Sequence, residues 1–140
     1  MTVQLTPYIM LDGNAAEAIS FYEQALDAVV VFRESFGEGP ENPERPMTDD
    51  VKKRVAHAVL KVGEAELLVA DCVPGEPNDS GNRLTICITS SEIGQSRRYY
   101  EALQQGGEVN LPLQELYFSP AYGVVTDKFG VTFLIFTKRG

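Results

Sequence analysis

Apolar residues recur along this chain in two rhythms, and the order of those rhythms repeats. Val3–Leu11 is a nearly continuous apolar run, which predicts a strand covered on both faces. Asp12-Gly13-Asn14 then offers a turn and a short side-chain oxygen to cap a helix. AAEAISFYEQAL follows, with Ala15, Ala18, Ile19, Tyr22 and Leu26 at three- and four-residue spacings, one apolar stripe on an amphipathic helix. Ala28–Phe32 is β-branched and apolar and predicts a second strand. Full burial of Val29, Val30, Val31 and Phe32 would contribute roughly 1.5–3 kcal/mol each.

The periodicity stops at Glu34–Asp50, where three Pro, two Gly and six acidic residues predict a loop, either a flap or a solvated excursion. Lys53–Val62 and Glu66–Val73 resume it as a hairpin across Gly63-Glu64-Ala65. Pro74–Asn82 has the composition of a linker. Beyond it the order returns: a strand over Arg83–Thr89, a helix capped by Ser90 or Ser91 and running to Gln105, and a left-handed C-cap at Gly106-Gly107. Ile93, Tyr99, Tyr100 and Leu103 lie on that helix. Val109–Leu116, interrupted by Pro112, reads as an edge strand. Ala121–Thr126 and Val131–Thr137 form the closing hairpin.

Both halves therefore read β-α-β-β-β. FYE (Phe21–Glu23) recurs as YYE (Tyr99–Glu101), Ala56-His57 answers to Ala121-Tyr122, and Gly63 to Gly130. Neither small sheet covers its own apolar face, so the fold class is α+β. The expected organisation is one domain of two modules, about 1–73 and 83–140, with a linker at about 74–82.

Composition narrows the function classes. A net charge of −8 over 140 residues argues against a nucleic-acid partner, because such affinity rests on Lys and Arg neutralising phosphates. The basic run Val51–Val55 is too short to reverse that. No apolar run approaches the ~20 residues that span a bilayer, and MTVQLTPYIML lacks signal-peptide character. The expectation is a cytoplasmic protein with no membrane partner. Cys72 and Cys87 are too few for a disulfide framework, and both are expected to behave as small buried hydrophobes. One His in the whole chain leaves little to complete a zinc site.

PYIML with EAISFYEQAL, AHAVLKVGEAELLVAD, and AYGVVTDKFGVTFLIF together resemble the vicinal-oxygen-chelate superfamily of glyoxalases, bleomycin-resistance proteins, fosfomycin-resistance enzymes and extradiol dioxygenases. Within it the chain is most similar to the PhnB-like branch. The resemblance implies paired βαβββ modules whose mixed sheets curl into a cup around a cavity, with the helices packed outside, and it implies a homodimer. Metal-using members draw ligands from the first and last strands of each module. Those positions fall here on Pro7, Leu67, Leu134 and a site at or beside Arg83, none of which suits a divalent cation. With a one-residue shift, Glu66 is the one good ligand among the neighbours. Neither a metal nor another cofactor is therefore expected. Some PhnB-like proteins carry a methyltransferase label, but this chain has no strand leading into a Gly-rich turn that could cradle a nucleotide-type cofactor.

Several residues remain as candidates for ligand binding. His57 is the chain's sole imidazole, and strand alternation puts it on one face with Val55, Val59 and Lys61. Asp71 ends the next strand and could be a base or a cap. Tyr117, Phe118 and Tyr122 form an aromatic cluster suited either to a pocket wall or to core packing. Arg83 could pair with a ligand carboxylate or phosphate, or with an internal acid. Three readings stay open: a metal-independent protein binding a small-molecule ligand between the modules, a glyoxalase-type lyase or isomerase with relocated ligands, and a structural or regulatory homodimer.

Overall fold

In the computed structural model, residues 6–40, 43, 46–74 and 84–139 are described. The chain divides into two compact units, Met1–Asp79 and Ser80–Gly140. Each contains one βαβββ motif.

The first unit is built from β1 (Tyr8–Leu11), α1 (Ala15–Ala25), β2 (Val29–Ser35), β3 (Val55–Val62) and β4 (Ala65–Asp71). A single 3-10 turn (Phe36–Glu38) and the short α2 (Asp49–Lys52) interrupt the stretch between β2 and β3, so the predicted loop is partly ordered. Its sheet order is β1-β4-β3-β2, with β1 parallel to β4 and the other pairs antiparallel. The second unit repeats the plan with β5 (Ile86–Ser90), α3 (Ile93–Leu103), β6 (Glu108–Leu116), β7 (Ser119–Thr126) and β8 (Thr132–Thr137). Its order is β5-β8-β7-β6, with β5 parallel to β8. The internal repeat read from the sequence is thus present in the fold. Pro112 lies on β6, an edge strand as expected, where register shifts interrupt its pairing with β7.

One helix lies against each sheet, so each sheet has a covered face and a bare one. In the first unit Ala15, Ala18, Ile19, Tyr22 and Leu26 are all buried, as their spacing predicts, and α1 packs on β2, β3 and β4. Ile9, Leu11, Ala58, Leu60, Leu67 and Val69 complete that core. In the second unit α3 packs on β5, β7 and β8, over Ala121, Val125, Phe133 and Ile135.

The one-sided cover overturns two expectations. β1 is not buried on both faces: Ile9 and Leu11 are buried, while Tyr8 and Met10 are about half exposed. β2 is an edge strand rather than a core strand, with Val29 62%, Val31 59% and Phe32 47% exposed. Apolar runs carry no information about which face a helix reaches, and β2 lies at the end of the sheet. Cys87 is exposed as well, against expectation, whereas Cys72 is buried and its thiol is pushed up by that burial.

The helix caps also differ from the local reading. Asn14 makes no side-chain cap. The acceptor comes instead from the far end of the unit: Asp71 Oδ1 accepts from the backbone N–H groups of Gly13 at 2.7 Å and Ala15 at 3.0 Å. Its Oδ2 accepts from Val55 N–H at 3.0 Å, which fixes the start of β3. A negative charge at a helix N-terminus is favourable, and Asp71 is only 3% exposed. Beside it the Arg54 guanidinium meets Asp12 at 2.8 Å and donates to the Cys72 carbonyl. In the second unit Ser90 and Ser91 do not cap α3 through its helical N–H groups; Glu92 is the N-cap, and Ser90 Oγ bonds its backbone. Gly106 adopts φ +75°, the left-handed C-cap expected there.

Replacing Asp71 by Ala leaves three backbone donors, two of them buried, without their acceptor, and should cost about 3 kcal/mol in urea denaturation. Asp71→Asn, which keeps one acceptor oxygen, should lose less; an unchanged midpoint for Asp71→Ala would contradict the assignment. The hydrogen bond from Arg54 holds the Asp12 carboxyl below its ordinary value. The resulting stability is present above the ordinary aspartate range and is lost as pH falls through the lowered value. Asp12→Asn should therefore flatten the acid limb of a stability–pH curve, and an unaltered limb would count against this pairing.

Candidate functional site: the helix-free sheet faces

Strand register identifies what lies on each bare face. In the first unit one cross-strand row runs Phe32–Val59–Leu68–Tyr8. His57 lies two residues along from Val59 on the same face and pairs with Glu34 in β2. Tyr8 Oη lies 2.9 Å from His57 Nδ1, and the two rings are 5.7 Å apart at 59°. The Phe32 ring sits 6.1 Å from His57 on another side. The only imidazole of the chain is thus half-buried between two aromatic rings, with a tyrosine hydroxyl on one nitrogen.

On the second unit's bare face the row Thr89–Phe136–Tyr122–Gln114 carries an aromatic cluster. The rings of Phe118 and Tyr122 meet edge to face at 4.9 Å, Phe118 stacks parallel to Phe136 at 6.4 Å, and Tyr122 stands at 90° to Phe136. Tyr117 caps the group, 5.1 Å from Phe118 and 94% exposed. Such edge-to-face contacts add about 0.5–1.5 kcal/mol each beyond area burial, so the cluster is a preformed apolar surface. Cys87 and Thr89 border it, with Sγ and Oγ1 3.7 Å apart.

The candidate residues therefore fall in different places. His57 stands on the first unit's bare face, and Phe118 and Tyr122 on that of the second, with Tyr117 at its margin. Asp71 is in neither group, because its carboxylate is committed to three backbone donors in the core. Arg83 lies outside the described residues. Sequence reasoning missed Tyr8, Phe32 and Phe136. Alternation in Tyr8–Leu11 puts Tyr8 and Met10 on one face, and hairpin pairing sets Phe136 opposite Tyr122; both signals were available.

The register also corrects one position in the comparison with metal-using proteins. Leu67 pairs with Leu60 and is buried under α1, so it cannot stand where Leu134 stands. Leu134 pairs with Val124 and Cys87 on the bare face, and its counterpart in the first unit is Leu68. Counting from the hairpin glycine fails because the first hairpin pairs Val62 with Ala65 across two residues, whereas the second pairs Thr126 with Thr132 across five. Leu68 and Leu134 still offer no oxygen, nitrogen or sulfur donor to a divalent cation, and the same register sets Tyr8 beside Leu68 and Cys87 beside Leu134 on the first strands. Among the described residues no three His, Cys, Asp or Glu side chains cluster to hold a metal ion. Glu66, the one possible ligand, is exposed at the turn end of β4.

A sequence profile of the glyoxalase/bleomycin resistance protein/dioxygenase superfamily matches residues 4–135, and the chain belongs to that superfamily. Among individual relatives, protein YjdN of Escherichia coli is 29% identical and aligns over 94% of this chain and 92% of its own. The crystal structure of protein PA1353 from Pseudomonas aeruginosa superposes with a TM-score of 0.88 at 29% identity, covering 99% of this chain and all of that one. A PhnB protein of Bacillus cereus superposes at 0.79 with 23% identity, over 96% and 99% of the two chains, and shares the fold. No helix among the described residues is long and apolar enough to cross a membrane.

With leucine at both last-strand positions, divalent cations should find no high-affinity site. Thermal unfolding in the presence of zinc, nickel, manganese or EDTA should then give midpoints within about 1 °C of the untreated protein. A rise of several degrees with one of these cations, reversed by chelation, would show a site that these positions do not supply.

Proposed function

We propose that this protein binds a small, partly aromatic molecule on the helix-free faces of its sheets, without a metal. One observation carries the reading: those faces bear preformed aromatic clusters, Tyr8–His57–Phe32 and Phe118–Tyr122–Phe136, while the family's ligand positions there hold Leu68 and Leu134. Rings packed on rings give a ligand apolar contact area at little entropic cost. The phenol of Tyr122 and the imidazole of His57 add polar groups that could orient it. The membership of a superfamily whose known functions include small-molecule resistance supports the same reading, since resistance can rest on sequestration as well as on chemistry. The site residues in this proposal are His57, Tyr117, Phe118 and Tyr122 from the sequence, joined by Tyr8, Phe32 and Phe136.

The reading includes a homodimer in the cytoplasm. Support for the dimer comes from the exposed apolar edge of β2, where Val29 and Val31 stand more than half accessible beside an unpaired strand edge. Light scattering should then report twice the chain mass.

A thermal-shift screen against small aromatic, thiol-conjugated and phosphonate compounds tests the binding itself. A true ligand at a hundredfold excess over its Kd should stabilise the protein by about 2.7 kcal/mol, a shift of several degrees. His57→Ala or Phe118→Ala should then weaken binding about tenfold, according to which face the compound occupies. A screen with no stabilising compound, or a ligand indifferent to both variants, would sink the proposal.

A further inference from the structure

The His57 ring is held in an asymmetric way that bears on what it can recognise. Its Nδ1 lies 2.9 Å from Tyr8 Oη, while its other nitrogen has no partner among the described residues. Glu34, directly across the ladder, makes no hydrogen bond to the ring. The bond to Tyr8 reaches over β4, since β1 and β3 are not neighbours in the sheet. Either group could in principle donate. A phenol O–H is a good donor, but its oxygen is a poor acceptor because a lone pair is delocalised into the ring. The unprotonated nitrogen of a neutral imidazole is a strong acceptor. The pairing that uses both strengths has Tyr8 donating to Nδ1, which places the ring proton on Nε2.

We infer that Tyr8 is a positioning residue that fixes His57 in the Nε2–H tautomer. The imidazole then offers a ligand a hydrogen-bond donor beside the aromatic wall of Phe32, 6.1 Å away. A fixed donor against an apolar ring selects molecules that join an aromatic or planar body to an acceptor oxygen, such as aryl ketones, amides or carboxylates. It disfavours hydrocarbons of the same shape, which would leave the N–H unpaired. This ligand class rests on the binding function proposed above, whereas the tautomer assignment rests on the Tyr8–His57 contact and the donor and acceptor strengths of the two groups.

The two parts separate experimentally. Because the chain has one histidine, imidazole nitrogen NMR of the ligand-free protein gives one spin system. At about pH 8.5, above the ordinary histidine range, it should show the Nε2–H form dominant. In Tyr8→Phe, a change at a half-exposed position, the ratio of Nε2–H to Nδ1–H should fall about fivefold. A dominant Nδ1–H form, or an unchanged ratio in the variant, overturns the role of Tyr8. For the ligand class, acetophenone should bind at least about fivefold more tightly than its oxygen-free counterpart α-methylstyrene, and His57→Phe should abolish the difference. Equal or undetectable binding of the pair overturns that class even where other compounds bind. Failure of every compound in a wider aromatic panel sinks the binding function instead, and the ligand-free tautomer measurement still judges Tyr8.

Discussion

One helix against four strands is the constraint on which each unit depends. An 11-residue helix such as α1 or α3 covers one face of a sheet, and the other face is left without a partner from its own unit. Sequence follows this division closely in the second unit. Along β7 the residues alternate buried and half-buried, with Ser119, Ala121, Gly123 and Val125 beneath α3, and Tyr122 and Val124 on the bare side. On the covered side Gly123 leaves room for the backbone of β6, since a Cβ there would meet the Leu111 carbonyl at 3.1 Å. The bare side takes rings and branched chains. Function is sought on the bare side because the other is already spent on holding the helix.

What keeps the division in register is a polar latch at the same place in both units, built from different chemistry. In the first unit the carboxylate of Asp71, at the end of the last strand, ties the helix start and the beginning of β3. In the second, Thr137 ends the last strand. Its hydroxyl lies 2.6 Å from Ser96 Oγ on α3 and donates to the Ala121 carbonyl. Ser119 Oγ, at the start of β7, donates to the Thr137 carbonyl at 2.8 Å. All of these groups are buried, and an unsatisfied buried polar group costs about 1–3 kcal/mol, so each latch resists slippage of the strand carrying it. A one-residue slip would move the aromatic residues to the helix side, so the latches also hold the proposed binding surface in place.

The order of elements and the repeat were legible in the chain because they rest on local signals. The stripe through Ala15, Ile19 and Tyr22, the left-handed Gly106 and the edge-forming Pro112 each read correctly. Three kinds of information were not local. Caps were misplaced because the acceptor for α1 comes from Asp71, more than fifty residues away, and not from Asn14. The edge position of β2 is not legible, because Val29–Phe32 says only that the segment is apolar, not that it stands at the end of a sheet. Counting from the hairpin glycines makes Leu67 the counterpart of Leu134, but the two turns differ in length, and only strand pairing reveals which face each residue meets. Of the site, His57, Phe118 and Tyr122 were legible singly; the ring contacts that join them to Tyr8, Phe32 and Phe136 are tertiary.

The central claim is that the bare faces, with their aromatic clusters and aliphatic residues at the family's ligand positions, form the binding surface. NMR of the aromatic and methyl side chains during titration with a compound that stabilises the protein tests it most directly. The account predicts shifts concentrated on Tyr8, Phe32 and His57, or on Phe118, Tyr122 and Phe136. Ile19, Leu60 and Ile135, buried under the helices, should barely move. Shifts centred on that helix-covered core, with the bare faces unaffected, would contradict it.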